Sequence, residues 1–136
     1  MKLNTKKIEE WITIKSGNEE CQFLVSPMTA KESFALINKS VDTKWQKGQQ
    51  IKDPDFYKMK IHRVNQVIRD WKGIEDEDGN PIPCNKESRE LIYSLNSALI
   101  DLVLEEAERI GDVLQQQGEE ELKNSSAGQN GSDSPA

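Results

Sequence analysis

The sequence predicts an α+β fold, mainly α: an N-terminal β-hairpin, then a small helical domain with one long C-terminal helix. Three observations carry this prediction. Residues 8–28 gather β-branched and aromatic side chains around a Gly-Asn turn. Residues 54–72 and 86–117 repeat apolar residues at helical spacing. Between them lies an acidic, turn-rich connector, Asp70 to Pro83, that opens on a Trp and closes on prolines. Such a connector sets the angle between two helices.

In the hairpin, Trp11-Ile12-Thr13-Ile14 and Cys21-Gln22-Phe23-Leu24-Val25 have strand composition, with turn chemistry at Lys15-Ser16-Gly17-Asn18 between them. A lone hairpin is marginal in water, so one face must lie on helices or on another chain. Thr29-Ala30-Lys31-Glu32 fits a capping box and opens a short helix with Phe34, Leu36 and Ile37 on its apolar side. Residues 40–53 show no clear period, and Trp45, Lys47 and Gly48 point to a basic loop.

Asp53-Pro54 then opens a second helix, with proline at the first helical position. Tyr57, Ile61, Val64, Ile68 and Trp71 recur at steps of four and three, flanked by Phe56, Met59 and Val67, and Gly73 closes the pattern. Asn85 caps a long helix over 86–117 whose stripe is Leu91/Ile92, Leu95, Leu99, Leu102/Val103, Ile110 and Val113/Leu114. Gly111 is a weak point in it. The outer face is acidic, with Asp101, Glu105, Glu106, Glu108 and Asp112. From Lys123 onward no large apolar residue occurs. The expected organisation is therefore one domain over 1–118 and a disordered tail over 119–136.

Of the 136 residues, 31% are charged and 35% apolar, so the core must be small. No apolar run approaches the roughly 18 residues that cross a bilayer. Met1-Lys2-Leu3-Asn4-Thr5-Lys6-Lys7 is basic with no apolar run after it, unlike a secretory signal. Cys21 and Cys84 stand far apart without CxxC spacing and are expected as reduced thiols. These features point to the cytoplasm. The net charge of −6 is uneven: residues 1–71 carry 13 Lys/Arg and 9 Asp/Glu, net +4, and residues 72–136 carry 5 and 15, net −10. The halves should attract, within one compact fold or head to tail between copies.

Nothing in the chain reads as an enzyme. Asp76, Asp78 and Gly79 invite comparison with a calcium loop, but aligning Gly79 to position six puts Ile74 at position one and Asn85 at position twelve. A solvated Asp-Gly turn fits better. His62 stands among Lys58, Lys60 and Arg63, with no acid or Cys placed beside it on the helix. There is no phosphate-binding glycine loop and no GxSxG. The expected catalytic, cofactor and metal residues are therefore none. Lys39 to Arg69 carries eight basic residues with Trp45, Phe56 and Tyr57 among them, but Asp42, Asp53 and Asp55 interrupt it, which weighs against nucleic-acid contact.

Phe23-Leu24-Val25-Ser26-Pro27-Met28-Thr29-Ala30-Lys31-Glu32 resembles the strand-then-Thr-x-x-Glu entry of tail assembly chaperones from long-tailed bacteriophages. Asp70-Trp71-Lys72-Gly73-Ile74, then Asp76-Glu77-Asp78-Gly79-Asn80-Pro81-Ile82-Pro83 and Asn85-Lys86-Glu87, is similar to their central segment: a Trp-x-Gly run, an Asp-Gly turn, prolines and a capped helix. The resemblance covers residues 20–110 in layout, and Cys84 departs from it where a bulkier apolar residue is expected. It implies a non-catalytic phage or prophage protein of the host bacterial cytoplasm, with a role in virion morphogenesis but absent from the finished virion. Its partners would be the tape-measure and tail-tube proteins, with no membrane and no cofactor, and with self-association open. Trp71, Gly73, Asp78, Gly79 and Pro81 match as architecture and not as a binding site. The alternatives are a structural protein of the head–tail junction or tail end, and a small nucleic-acid-binding regulator.

Overall fold

The computed structural model describes Met1 and residues 5–130, with side chains described as far as Leu114 apart from positions 42, 44 and 51–54. The fold is α+β and mainly α. In chain order the elements are β1 (Glu10–Ser16), β2 (Glu19–Val25), α1 (Ala30–Lys39), β3 (Val41–Gln46), β4 (Gln49–Pro54), α2 (Phe56–Val67), β5 (Ile68–Lys72), α3 (Lys86–Leu95) and α4 (Ser97–Asn130).

The first hairpin forms as its composition predicts. Ser16 pairs with Glu19, leaving Gly17-Asn18 as a two-residue turn with Gly17 at φ +63°. Glycine supplies the left-handed backbone that such tight turns need at their first central position. β2 also pairs antiparallel with β5, so the sheet order is β1-β2-β5 with β2 central.

β5 corrects the sequence reading most. Residues 54–72 are not one helix. α2 stops at Val67 and the chain turns directly into a strand. Val25 pairs with Ile68 but Leu24 pairs with Asp70, so the ladder slips by one residue and Arg69 bulges. Ile68 and Trp71 therefore both face the core although three residues apart. That spacing is helical in the sequence and is produced here by a bulged strand. Gly73 accordingly ends a strand and not a helix.

Pro54 is likewise not the first helical residue. It closes β4, and Asp55 caps α2, accepting the N–H of Lys58 at 3.0 Å. The segment expected as a loop over 40–53 is a second antiparallel hairpin. Lys47 (φ +53°) and Gly48 (φ +78°) form its turn, the pair of positive φ values that suits a two-residue connection. It forms a sheet of its own, and its base is tied by the Asp55 N–H donating to the Ser40 carbonyl at 2.7 Å.

α1 starts at the predicted capping box. The Thr29 hydroxyl accepts the Glu32 N–H at 3.2 Å, and the Glu32 carboxylate accepts the Thr29 N–H at 3.0 Å. Lys7 adds an ion pair at 2.6 Å, and the Gln66 amide donates to the same carboxylate. Burial pushes this carboxyl up, but the donors and the Lys7 charge outweigh it and hold it down from 4.5 to about 2. A carboxyl with a lowered folded-state pKa stabilises the fold above its unfolded value. This contribution is therefore complete above about pH 4.5 and is lost as pH falls towards about 2. Glu32→Gln should be less stable than the parent at pH 7 and should lose less stability across that window, as chemical denaturation at stepped pH would read.

The long helix expected over 86–117 is two helices. Asn85 caps α3 in a box with Ser88, as predicted at its N-terminus. Asn96 then breaks the run: its N–H donates to the Ile92 carbonyl at 2.8 Å, ending α3, and its side-chain oxygen accepts the Leu99 N–H at 3.3 Å, starting α4. Asparagine does both because its short amide competes with the backbone for helix ends. The break rotates the phase, so the buried residues of α4 are Ile100, Val103, Leu104, Ala107 and Ile110. α4 continues to Asn130, past the boundary expected at 118, through a Gln- and Glu-rich stretch of good helix formers. The last six residues of the expected tail, 131–136, lie outside the described residues.

The core is one cluster in which Phe23, Val25, Ile68 and Trp71 of the sheet meet Val64 and Val67 of α2, Ile92 of α3, and α4. Trp71 packs edge-to-face on Phe23, with centroids 6.2 Å apart, and its indole N–H donates to the Ile82 carbonyl at 2.6 Å. It thus belongs to the sheet and anchors the connector, where the spacing puts it on the apolar stripe of the second helix. Gly111 is also no weak point. A side chain there would meet Pro27 at 3.1 Å, so the glycine lets α4 cross the β2–α1 link closely. Lys60 of α2 pairs with Asp101 of α4 at 3.0 Å, one direct link between the basic and acidic halves.

Candidate functional site

Near the turn of the first hairpin the sheet and α4 diverge, and an open trough of about 810 Å³ lies between them. Its floor is apolar. Ile14 and Cys21 face it from paired positions on β1 and β2. Ile74 enters from the connector, and Leu99 and Leu102 from the first turns of α4. Its rim is acidic, with Glu19, Glu20, Glu75 and Asp76 against the single cation Lys15.

Each part of the trough has a local cause. After the break at Asn96, Leu99 packs at the edge of the core and Leu102 lies outside the inward stripe of α4, 44% exposed. Gly73, at φ +81°, runs so close to β2 that a side chain there would lie 3.0 Å from the Glu20 carbonyl, so the chain leaves β5 tight against β2 and carries Ile74 to the trough edge. The connector is a small closed turn. Glu75 bridges Pro81, the Ile82 N–H donates to the Ile74 carbonyl at 2.9 Å, and Gly79 sits at φ +81°.

The Asp76 carboxylate accepts the N–H groups of Asp78 and Asn80, each at 2.9 Å. It is occupied by its own loop, as in an Asx turn. Asp76→Ala should cost about 1–2 kcal/mol, as removal of other such caps does. Calcium at millimolar concentration should leave the melting temperature of the parent unchanged. A saturable calcium-dependent rise would overturn the turn reading.

The remaining residues of interest do not converge. Both cysteines are free and half-buried. Burial raises the Cys21 thiol, and the neighbouring charges of Glu19 and Glu20 raise it further. Burial also raises Cys84, partly offset by Arg89, whose guanidinium lies 3.5 Å from the sulfur. Neither is set up as an activated nucleophile. His62 lines a separate shallow cleft of about 360 Å³ between α1 and α2, beside Lys31, Lys39 and Gln66. Trp45 is 73% exposed near the tip of the second hairpin. A smaller cleft of about 270 Å³ lies between Pro27 and α4, with Arg63 facing Glu108 and Asp112. Among the described residues, no three His, Cys, Asp or Glu side chains gather as metal ligands, and no helix is long and apolar enough to cross a membrane.

The apolar period along 86–117 puts Leu99 and Leu102 on the stripe that packs within the domain and so does not reveal the trough. On α4, Leu99 and Leu102 stand beside the stripe made by Ile100, Val103, Leu104 and Ala107. One helix packed on one core needs only one such stripe.

Neither a curated protein nor a solved structure matches the chain. The family model of the YdaY prophage protein matches residues 28–124, from the entry to α1 through most of α4. That match covers well over half of the sequence, and the chain belongs to the YdaY prophage protein family.

Proposed function

We propose that this prophage protein is a non-catalytic tail assembly chaperone that acts in the host cytoplasm, binds the tape-measure protein and promotes tail-tube assembly. The observation that carries the reading is the trough: an apolar floor, open to solvent, on a strongly acidic body. A tape-measure chain is long and helical with exposed apolar faces. A chaperone for it needs a surface that covers such a face and enough charge to keep complexes apart. Prophage membership and the resemblance of the Trp-x-Gly connector to that of tail chaperones support the same reading.

The test is co-expression with a tape-measure protein of the same prophage, followed by size-exclusion chromatography at low and moderate salt. The expected result is a soluble complex that persists at both, since burial of apolar surface is little affected by screening. Purified virions should lack this protein. Failure of co-elution under both conditions, with the protein present in virions, would favour a structural subunit of the head–tail junction or tail end. Retention on a polyanion that falls steeply with salt would favour the nucleic-acid reading.

A further inference from the structure

Building on the chaperone reading, we propose that the trough between the first hairpin and α4 selects its client by charge. The ligand it fits is an amphipathic helix whose apolar stripe is flanked by Lys or Arg. The floor supplies a place for the stripe: Leu99 and Leu102 on one wall, Ile14, Cys21 and Ile74 on the other. A helix laid in such a groove presents side chains at i, i+3, i+4 and i+7 to the floor, and its flanking positions fall on the rim.

The rim decides the sign. Glu19 and Glu20 of β2 and Glu75 and Asp76 of the connector line the sheet side of the trough, opposite the leucines of α4. Acidic flanks on the client would meet carboxylates along that edge, and basic flanks would meet partners. Exposed ion pairs are individually weak, so the four carboxylates together separate the two kinds of helix by about tenfold at low salt. The floor contributes affinity and the rim contributes choice.

The same charges argue against a second copy as the occupant. α1 offers exposed Phe34 and Ile37 between Lys31 and Lys39, a helix of roughly the right chemistry. It is carried, however, in a basic half of net +4 that brings with it an acidic half of net −10, so each docked copy adds more negative than positive charge to an already negative partner. A separate basic helical segment meets no such repulsion.

Cys21 gives a native reporter in the floor, and Cys84, away from the trough, gives an internal control. The full chain is alkylated at low salt, with both sites followed by mass spectrometry. Two 18-residue Leu/Ala amphipathic peptides are compared, identical except for Lys or Glu flanks. The Lys-flanked peptide should protect Cys21 and not Cys84, at about one-tenth the concentration the Glu-flanked peptide needs. The gap should narrow in high salt. Leu102→Asp should abolish protection at either salt, and because Leu102 is exposed the variant should keep its melting temperature. Glu19→Lys combined with Glu20→Lys and Glu75→Lys should reverse the preference.

Equal protection by the two peptides overturns charge selection, and absence of protection by both overturns the trough as a helix site. Protection of Cys21 that grows with protein concentration alone makes the occupant a second copy and overturns the proposal as well. Peptide protection with no tape-measure complex on co-expression overturns the chaperone reading and leaves the trough as a basic-helix site. A tape-measure complex without peptide protection does the reverse.

Discussion

Trp71→Ala is expected to cost about 3–5 kcal/mol, the range for truncating a buried aromatic side chain. For a chain of this size the melting temperature should fall by more than about 10 °C. Two losses combine. The first is a cavity beside Phe23 at the centre of the sheet. The second is the donor to the Ile82 carbonyl, which fastens the connector to the core. Trp71→Phe shifts the balance between them, because it keeps one aromatic ring beside Phe23 while it removes the N–H and part of the indole. It should cost about 1–2 kcal/mol and raise hydrogen exchange in residues 74–82 more than elsewhere. An unchanged melting temperature for Trp71→Ala would overturn this account of the core.

Gly73→Ala should be the most damaging single methyl in the chain, at about 2–4 kcal/mol. The residue sits at φ +81°, and the new Cβ would lie 3.0 Å from the Glu20 carbonyl and 3.3 Å from the Cys21 Cα. Both obstacles are backbone inside a paired strand, so neither yields by a rotamer change. Gly79→Ala is the matched control. It has the same φ of +81° with open space around it, so only the conformational part remains, about 1–2 kcal/mol. Thermal melts of the pair measure the contact by difference. Equal losses would mean that the β2–connector approach contributes nothing.

How legible the fold was depended on the range of the signal. Local chemistry read correctly: the Gly17-Asn18 hairpin, the Thr29–Glu32 box and the Asn85 cap all stand where short-range rules put them. Boundaries set by tertiary pairing did not. Ile68 and Trp71 keep helical spacing because Arg69 bulges, and a bulge is defined only against its partner β2. Leu95 to Ile100 looks like continuous helix because all but one of its residues can be helical, and Asn96 acts through two side-chain and backbone bonds that composition does not show. The trough lies in the same gap. It exists because two stripes on α4 face different neighbours, which no periodicity measured along one segment can assign.

The second hairpin has a consequence for engineering and for sequence drift. Its two ends meet at one short hydrogen bond, Asp55 to Ser40, and the Ser40 hydroxyl is held by the Leu36 carbonyl at 2.8 Å. This bond ties the base of the hairpin to the scaffold, and the described residues of its tip, from Trp45 to Gln50, are exposed. The length of such an exposed tip can vary at a closure cost that grows only logarithmically. The turn at Lys47-Gly48 is therefore a natural splice point, where a peptide tag or a small inserted domain would extend the exposed tip.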